Sequence, residues 1–213
     1  MSRLRVTEIF YSLQGETASV GRPATFVRLT GCPLRCQYCD TAYAFHGGEW
    51  LETSVILDQV AVHGSHLVVV TGGEPLAQPE VHGLLTALCD RGHEVYLETS
   101  GALSVADVDP RVVKILDIKT PGSGEAVRNY WPNLNFLGSG DQIKVVICSR
   151  EDYDWARKVL AEQQLWHRCE ILFSPSYTEL SVQDLASWIL ADRLPVRLQI
   201  QLHKLVWGDE PGH

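Results

Sequence analysis

The stretch Ala24-Thr25-Phe26-Val27-Arg28-Leu29-Thr30-Gly31-Cys32-Pro33-Leu34-Arg35-Cys36-Gln37-Tyr38-Cys39-Asp40-Thr41 runs from a short β-branched segment straight into three cysteines spaced C-x3-C-x2-C. Ala24–Thr30 reads as a strand. Three thiolates this close together, directly after a strand, cannot all converge unless something sits between them. Soft thiolates select zinc, copper or an iron–sulfur cluster. A structural zinc site wants four protein ligands, usually as two C-x2-C knuckles, and the sequence has no second knuckle. His46 is a candidate fourth ligand, which leaves zinc open. Three cysteines alone suit a [4Fe–4S] cluster with one iron free to bind something that reacts. Cys89, Cys148 and Cys169 stand singly among apolar neighbours and read as small buried hydrophobes.

Outward from this stretch, strand and helix patterns alternate. Ile56, Leu57, Val60 and Ala61 suit one helix face, and His66–Val70 is a near-continuous apolar strand. Pro79 suits a helix N1 position, Val81, Leu84, Leu85 and Leu88 follow at helical spacing, and Gly92 falls where a C-terminal cap belongs. His93–Glu98, Val112–Lys119 and Gln142–Ile147 read as strands. Ser149 with Asp152 resembles a capping box before Trp155, Ala156, Val159 and Leu160. Glu170–Phe173 is a further strand. Ser181 with Asp184 caps a helix with Val182, Leu185, Ala186 and Ile189 on its apolar face, and Val196–Leu202 is the last strand. Such alternation implies βαβ units and a parallel sheet. Pro121–Gly140, rich in Gly, Asn and aromatic residues, reads as an irregular active-site loop.

Side-chain parity sharpens the architecture, because successive strand residues face opposite ways. Val27 and Leu29 oppose Phe26, Arg28 and Thr30. Val95 and Leu97 oppose Tyr96, Glu98 and Ser100. Val196, Leu198, Ile200 and Leu202 oppose Arg197, Gln199, Gln201 and His203. A doubly covered parallel sheet would be apolar on both faces. Here one face suits a layer of helices and the other is polar toward the strand C-termini. The pattern predicts an α/β fold with a curved, mainly parallel sheet or partial (β/α) barrel whose site lies at the strand C-terminal ends.

The chain has 213 residues with Lys+Arg 18 against Asp+Glu 26, a formal charge of −8. No linker or composition break divides it, so residues 1–213 read as a single domain. A hydrophobic fraction of 45% excludes a disordered chain. The acidic balance argues against nucleic-acid and membrane-surface binding, both of which need a basic footprint. The absence of a membrane-length apolar run or signal-peptide core makes the cytoplasm the expected location.

Thr71-Gly72-Gly73-Glu74-Pro75 follows the apolar strand His66–Val70. Its glycines allow close backbone approach and Glu74 offers a carboxylate to an ammonium group, although alone the segment is also a plain βα turn. Together with the cysteine triplet, and with the aromatic Tyr38 before the last cysteine, it resembles the radical S-adenosylmethionine (SAM) superfamily. Within it the chain resembles the 7-carboxy-7-deazaguanine synthase family of queuosine and 7-deazapurine biosynthesis. The residues that carry this narrower likeness are Ser12-Leu13-Gln14-Gly15-Glu16, Arg28 before the cysteines, Cys39-Asp40-Thr41, Glu98-Thr99-Ser100-Gly101, Asp117-Ile118-Lys119-Thr120-Pro121 and Gln199-x-Gln201-Leu202-His203-Lys204.

The resemblance implies a lyase that converts 6-carboxy-5,6,7,8-tetrahydropterin to 7-carboxy-7-deazaguanine and ammonia. It implies that Cys32, Cys36 and Cys39 ligate a [4Fe–4S] cluster, and that Tyr38, Gly73, Glu74, Ser100, Asp117, Lys119 and Ser174 serve SAM. Thr41 would give Mg²⁺ a hydroxyl ligand. Leu13, Gln14, Gly15, Glu16, Arg28, Thr71 and His203 would line the substrate site, with Arg28 clamping the substrate carboxylate. No residue is implied as acid or base. Expected partners are the pterin, a reductase-linked donor such as flavodoxin or ferredoxin, and a second copy of the chain as a homodimer. A glycyl-radical-enzyme activase shares both main motifs and is the alternative in the same chemistry. A non-catalytic metal-cluster module is the alternative outside it.

Overall fold

The structure is a computed structural model that describes residues 2–177, 179–208 and 212. Its elements run β1 (Arg3–Leu13), β2 (Pro23–Leu29), β3 (Glu49–Glu52), α1 (Thr53–His63), β4 (Leu67–Gly72), α2 (Val81–Asp90), β5 (Glu94–Thr99), β6 (Val113–Asp117), β7 (Gln142–Ile147), α3 (Arg150–Glu162), β8 (Glu170–Pro175), α4 (Val182–Asp192), β9 (Arg197–Leu198) and α5 (Leu202–Trp207). One sheet holds all the strands, in the order β3-β1-β2-β4-β5-β6-β7-β8-β9. From β2 to β9 every neighbouring pair is parallel, whereas β1 is antiparallel to both β2 and β3.

The faces separate as the parity argument requires. Val27, Leu29, Val68, Val70, Val95 and Leu97 join Ile56 and Val60 of α1 and Leu84, Leu85 and Leu88 of α2 in one large core. Each such side chain contributes about 1.5–3 kcal/mol on burial, and Leu85→Ala would cost about 2–5 kcal/mol. On the opposite face Ala24, Phe26, Leu67, Val69, Tyr96 and Ile115 form a smaller apolar plug, with Phe10 stacked on Phe26 at 4.9 Å. Beyond this plug, toward the strand C-termini, that face turns polar.

Two helix starts follow the sequence reading. Ser149 Oγ accepts from Asp152 N at 3.3 Å and Ser181 Oγ from Asp184 N at 3.0 Å. Gly92, at φ 83°, follows α2 in the left-handed conformation expected of a cap. Pro79 instead precedes α2, inside a turn closed by Val81 N on Gln78 O. The Gln78 side chain fixes that turn by bonding Arg5 N, Arg5 O and Thr30 O.

The last strand differs most. It comprises Arg197–Leu198 alone, and residues from Leu202 form a helix. The cause lies in the polar side chains of the same stretch. Gln199 is buried and its Oε1 accepts from Thr17 N at 2.6 Å, while Leu202 N donates to Gly15 O at 2.9 Å. The chain thus leaves the sheet to join the β1–β2 loop. That loop floors the open barrel: Ala18 N bonds Gln142 of β7 and Ser19 Oγ bonds Tyr96 of β5.

Candidate active site

Both motifs lie at the C-terminal ends of adjacent strands. The cysteine loop leaves β2 through Gly31, at φ 97°, whose N–H donates to Ala44 O. Gln37 N donates to Ser123 O, so the 121–123 turn holds the loop between Cys36 and Cys39. That turn is anchored from α3, where the buried Asp152 accepts from Thr120 Oγ1, Gly122 N and Cys148 N. The three thiols are half-buried and unbridged. Burial pushes all of them up, Cys36 to about 11.

The glycine turn sits directly against this loop. Gly73 N donates to Leu29 O and Glu74 N to Gly31 O. A β-carbon on Gly73 would come within 2.2 Å of Gly31 O, so only glycine fits. Glu74 itself turns away from the cavity and is fully buried. Its carboxylate accepts from Leu76 N, Thr99 Oγ1, Ser100 N and Ser100 Oγ. It therefore braces the turn against the end of β5.

A cavity of about 430 Å³ opens in front of the two turns. Cys32, Cys36, Cys39, Tyr38, Thr41, Gly73, Ser100, Asp117, Lys119 and Ser174 line it, as do Leu13, Gln14, Gly15, Glu16, Arg28, Thr71 and His203. Of the expected site residues, only Glu74 is left out.

Part of the cavity wall is a hydrogen-bond network. Glu98 accepts from Gln14 Nε2 at 3.1 Å and Thr71 Oγ1 at 2.9 Å. Gln14 Oε1 accepts from Glu16 N at 3.0 Å, and Glu16 pairs with Lys144. Gln201 Nε2 donates to both Glu16 Oε1, at 3.0 Å, and Asp40 Oδ2, at 2.9 Å. Thr41 Oγ1 then donates to Asp40 Oδ1 at 2.8 Å. Burial, reinforced by the Glu16 charge, raises the Glu98 pKa. Burial works against ionisation of Asp40 too, yet the Gln201 bond and the Lys144 charge hold its pKa below the usual carboxylate range. His203 stacks where a Gly15 β-carbon would be, 2.0 Å from its Nδ1, and burial lowers its pKa, leaving a neutral ring at pH 7.

Beside the cysteines, Lys119 pairs with Asp117 at 2.8 Å and lies 5.7 Å from the centre of the Tyr38 ring. The backbone of Lys119 is bracketed by the Asn129 side chain. Tyr38 Oη and Asp117 Oδ1 are buried without a protein partner. Orphaned buried polar atoms of residues that line the same cavity as the cysteines fit a bound group with its own polar atoms. Among the described residues no three His, Cys, Asp or Glu side chains gather around one ion-sized site. His46 is exposed and lies outside the cavity lining, so the zinc alternative loses its fourth ligand.

The sequence reading missed Glu98, Lys144, Asp40 and Gln201 as individual site residues. Parity had already put Glu98 and Gln201 on the polar face. Lys144 follows the same rule, since it shares a face with Gln142 in β7 while Ile143 and Val145 enter the core.

The pattern describing the Radical SAM superfamily matches residues 26–117. A protein of Chlorobaculum tepidum named 7-carboxy-7-deazaguanine synthase is 45% identical over 97% of this chain and 96% of its own length. One of the same name from Koribacter versatilis is 40% identical over 97% of this chain and 98% of its own. The crystal structure of QueE from Escherichia coli superposes with a TM-score of 0.74 at 24% identity, covering 94% of this chain and 95% of that one. That last likeness supports the partial-barrel fold.

Proposed function

The chain belongs to the 7-carboxy-7-deazaguanine synthase family of the radical SAM superfamily, and on that premise we propose that it converts 6-carboxy-5,6,7,8-tetrahydropterin to 7-carboxy-7-deazaguanine and ammonia. The observation that carries this reading is the hydrogen-bonded run from Thr71 through Glu98, Gln14, Glu16 and Gln201 to Asp40 and Thr41, which lines one cavity together with the three cysteines. A small, polar, nitrogen-rich substrate matches such a wall. A protein glycine on an extended backbone does not.

Cys32, Cys36 and Cys39 would hold a [4Fe–4S] cluster, which together with SAM would supply a radical able to take a substrate hydrogen atom. The residues of this chain bind and orient. Gly73 lets the backbone approach the methionine part of SAM, and Tyr38, Ser100, Asp117, Lys119 and Ser174 surround it. Arg28 offers its guanidinium to the substrate carboxylate, fixing orientation as well as position. Leu13, Gln14, Gly15, Glu16, Thr71 and His203 complete the pocket. Glu98 also lines the pocket, and burial together with the Glu16 charge raises its pKa.

Thr41 is assigned a Mg²⁺ contact, a role suited to a hard cation that keeps most of its waters and takes other oxygens from substrate. A flavodoxin- or ferredoxin-type donor, a homodimer, a single functional domain and a cytoplasmic setting complete the proposal. The test is anaerobic reconstitution with iron and sulfide, followed by incubation with reductant, SAM, Mg²⁺ and the carboxylated pterin. Equimolar 7-carboxy-7-deazaguanine and ammonia are expected. Reductant-dependent SAM cleavage that the pterin neither accelerates nor follows into product would overturn the assignment.

A further inference from the structure

β1 and β2 pair with an irregularity that has a chemical consequence. Val6 lies opposite Leu29 and Glu8 opposite Arg28, so Thr7 is an extra residue in β1. In unbroken antiparallel register Thr7 would face Arg28. The bulge shifts the alternation by one, and a carboxylate faces the guanidinium on the cavity side instead. Downstream of it Ile9 returns to the main core and Phe10 to the Phe26 stack, so the remainder of β1 keeps the facing its apolar residues need.

Glu8 Oε1 accepts from Arg28 Nε at 2.6 Å and, on the same oxygen, from Tyr43 Oη at 2.8 Å. The guanidinium carbon lies 5.6 Å from the centre of the Phe10 ring and 5.8 Å from that of Tyr43. The Arg28 side chain is only 15% exposed. Among the described residues its Nη edge makes no hydrogen bond to protein. Arg28 is thus held by one nitrogen and two rings, with its two-pronged edge available. Glu8 does not line the cavity, whereas Arg28 does.

We infer that Glu8, seconded by Tyr43, is a positioning residue that fixes the Arg28 fork for a substrate carboxylate. This rests on the reading of Arg28 as the carboxylate clamp. An arginine has several rotatable bonds, and a fork that must be ordered at each encounter binds more weakly than one already held. A carboxylate on Nε fixes the plane of the guanidinium, and Tyr43, donating to the same oxygen, fixes the carboxylate.

The experiment measures the pterin's dissociation constant by titration calorimetry on cluster-loaded protein with SAM, together with KM and kcat. Glu8→Ala should raise the dissociation constant and KM about tenfold, the scale of one charge-assisted hydrogen bond. Iron content and SAM affinity should stay at wild-type values. Glu8→Gln keeps an acceptor oxygen and should recover to within about threefold, and Tyr43→Phe should lose about threefold. A wild-type dissociation constant and KM in Glu8→Ala would overturn the inference. Should Glu8→Ala fail to fold or to load iron, the half-exposed Tyr43→Phe takes its place, and unchanged binding there overturns it equally. Arg28→Ala separates the two layers. Unchanged binding in Arg28→Ala would remove the clamp itself, whereas loss there with an unaffected Glu8→Ala would remove only the role of Glu8.

Discussion

Gly73 and Cys32 meet across the two motifs: a β-carbon on Gly73 would stand 2.8 Å from the Cys32 Cβ and 2.2 Å from Gly31 O. The glycine turn is therefore a mould for the start of the cysteine loop as well as a route to a ligand. Gly73→Ala must push that loop outward or distort β4, at a cost of about 1–3 kcal/mol. Because Cys32 is the nearest thiol, cluster assembly should suffer before the fold does. The expected result is wild-type far-ultraviolet circular dichroism with less than half the wild-type iron per chain after anaerobic reconstitution. Full iron loading in Gly73→Ala would show that the loop yields freely.

Glu98 couples the site to stability. Its pKa is raised in the folded protein, by burial first and then by the Glu16 charge. Ionising it therefore costs more in the folded than in the unfolded state. Its contribution is intact below the ordinary carboxylate value of about 4.3 and is lost as pH rises through the raised folded value. Glu98→Gln removes the ionisation, so its melting temperature should gain on wild type as pH increases from about 4 to 8. Activity should fall together with that gain. Parallel wild-type and Glu98→Gln melting curves at every pH would contradict this.

Gln199 ties the floor of the barrel to its last strand through Thr17, which is buried with a positive φ of 67°. A β-branched residue in that conformation is strained and persists only where its surroundings fix it. Gln199→Leu would leave Thr17 N buried without an acceptor, costing about 1–3 kcal/mol. For a chain of this size that lowers the melting temperature by about 2–4 °C per kcal/mol. Differential scanning calorimetry checks it. An unchanged melting temperature would mean the loop finds another acceptor.

Thr41 donates to Asp40, which Gln201 links to Glu16. If its hydroxyl also meets Mg²⁺, Thr41→Val should keep iron loading while the Mg²⁺ concentration for half-maximal activity rises about tenfold. A titration with an unchanged midpoint would remove Thr41 from the metal site.

Much of this arrangement was legible in the residues, for identifiable reasons. The parity of Val27/Leu29 against Phe26/Arg28, and of Val95/Leu97 against Tyr96/Glu98, is a local property of strands, and it placed the polar face correctly. The two motifs are local as well, so their loops could be read directly. What escaped depends on contacts distant in sequence. β1 and β3 pair antiparallel at the sheet edge, where no intervening helix pattern marks them. Val196–Leu202 alternates like a strand, but the Gln199–Thr17 and Leu202–Gly15 bonds draw it away after Leu198. The bonds of Glu74 to Thr99 and Ser100 join residues some 25 positions apart and carry no local sequence signal. The Thr7 bulge left no sequence mark beyond a phase change between Val6 and Ile9.

Arg28 stands on the cavity face with its fork directed by Glu8, and the proposed orientation of the substrate depends on its holding the substrate carboxylate. Arg28→Lys keeps the charge and loses the two-pronged geometry. The decisive measurement is turnover of 6-carboxy-5,6,7,8-tetrahydropterin by reconstituted Arg28→Lys, with SAM affinity determined on the same sample. Turnover should fall about 10²-fold, as expected for a misplaced reactant, while SAM binds as in wild type. Wild-type turnover in Arg28→Lys would contradict the account and leave Arg28 as a charged strand end.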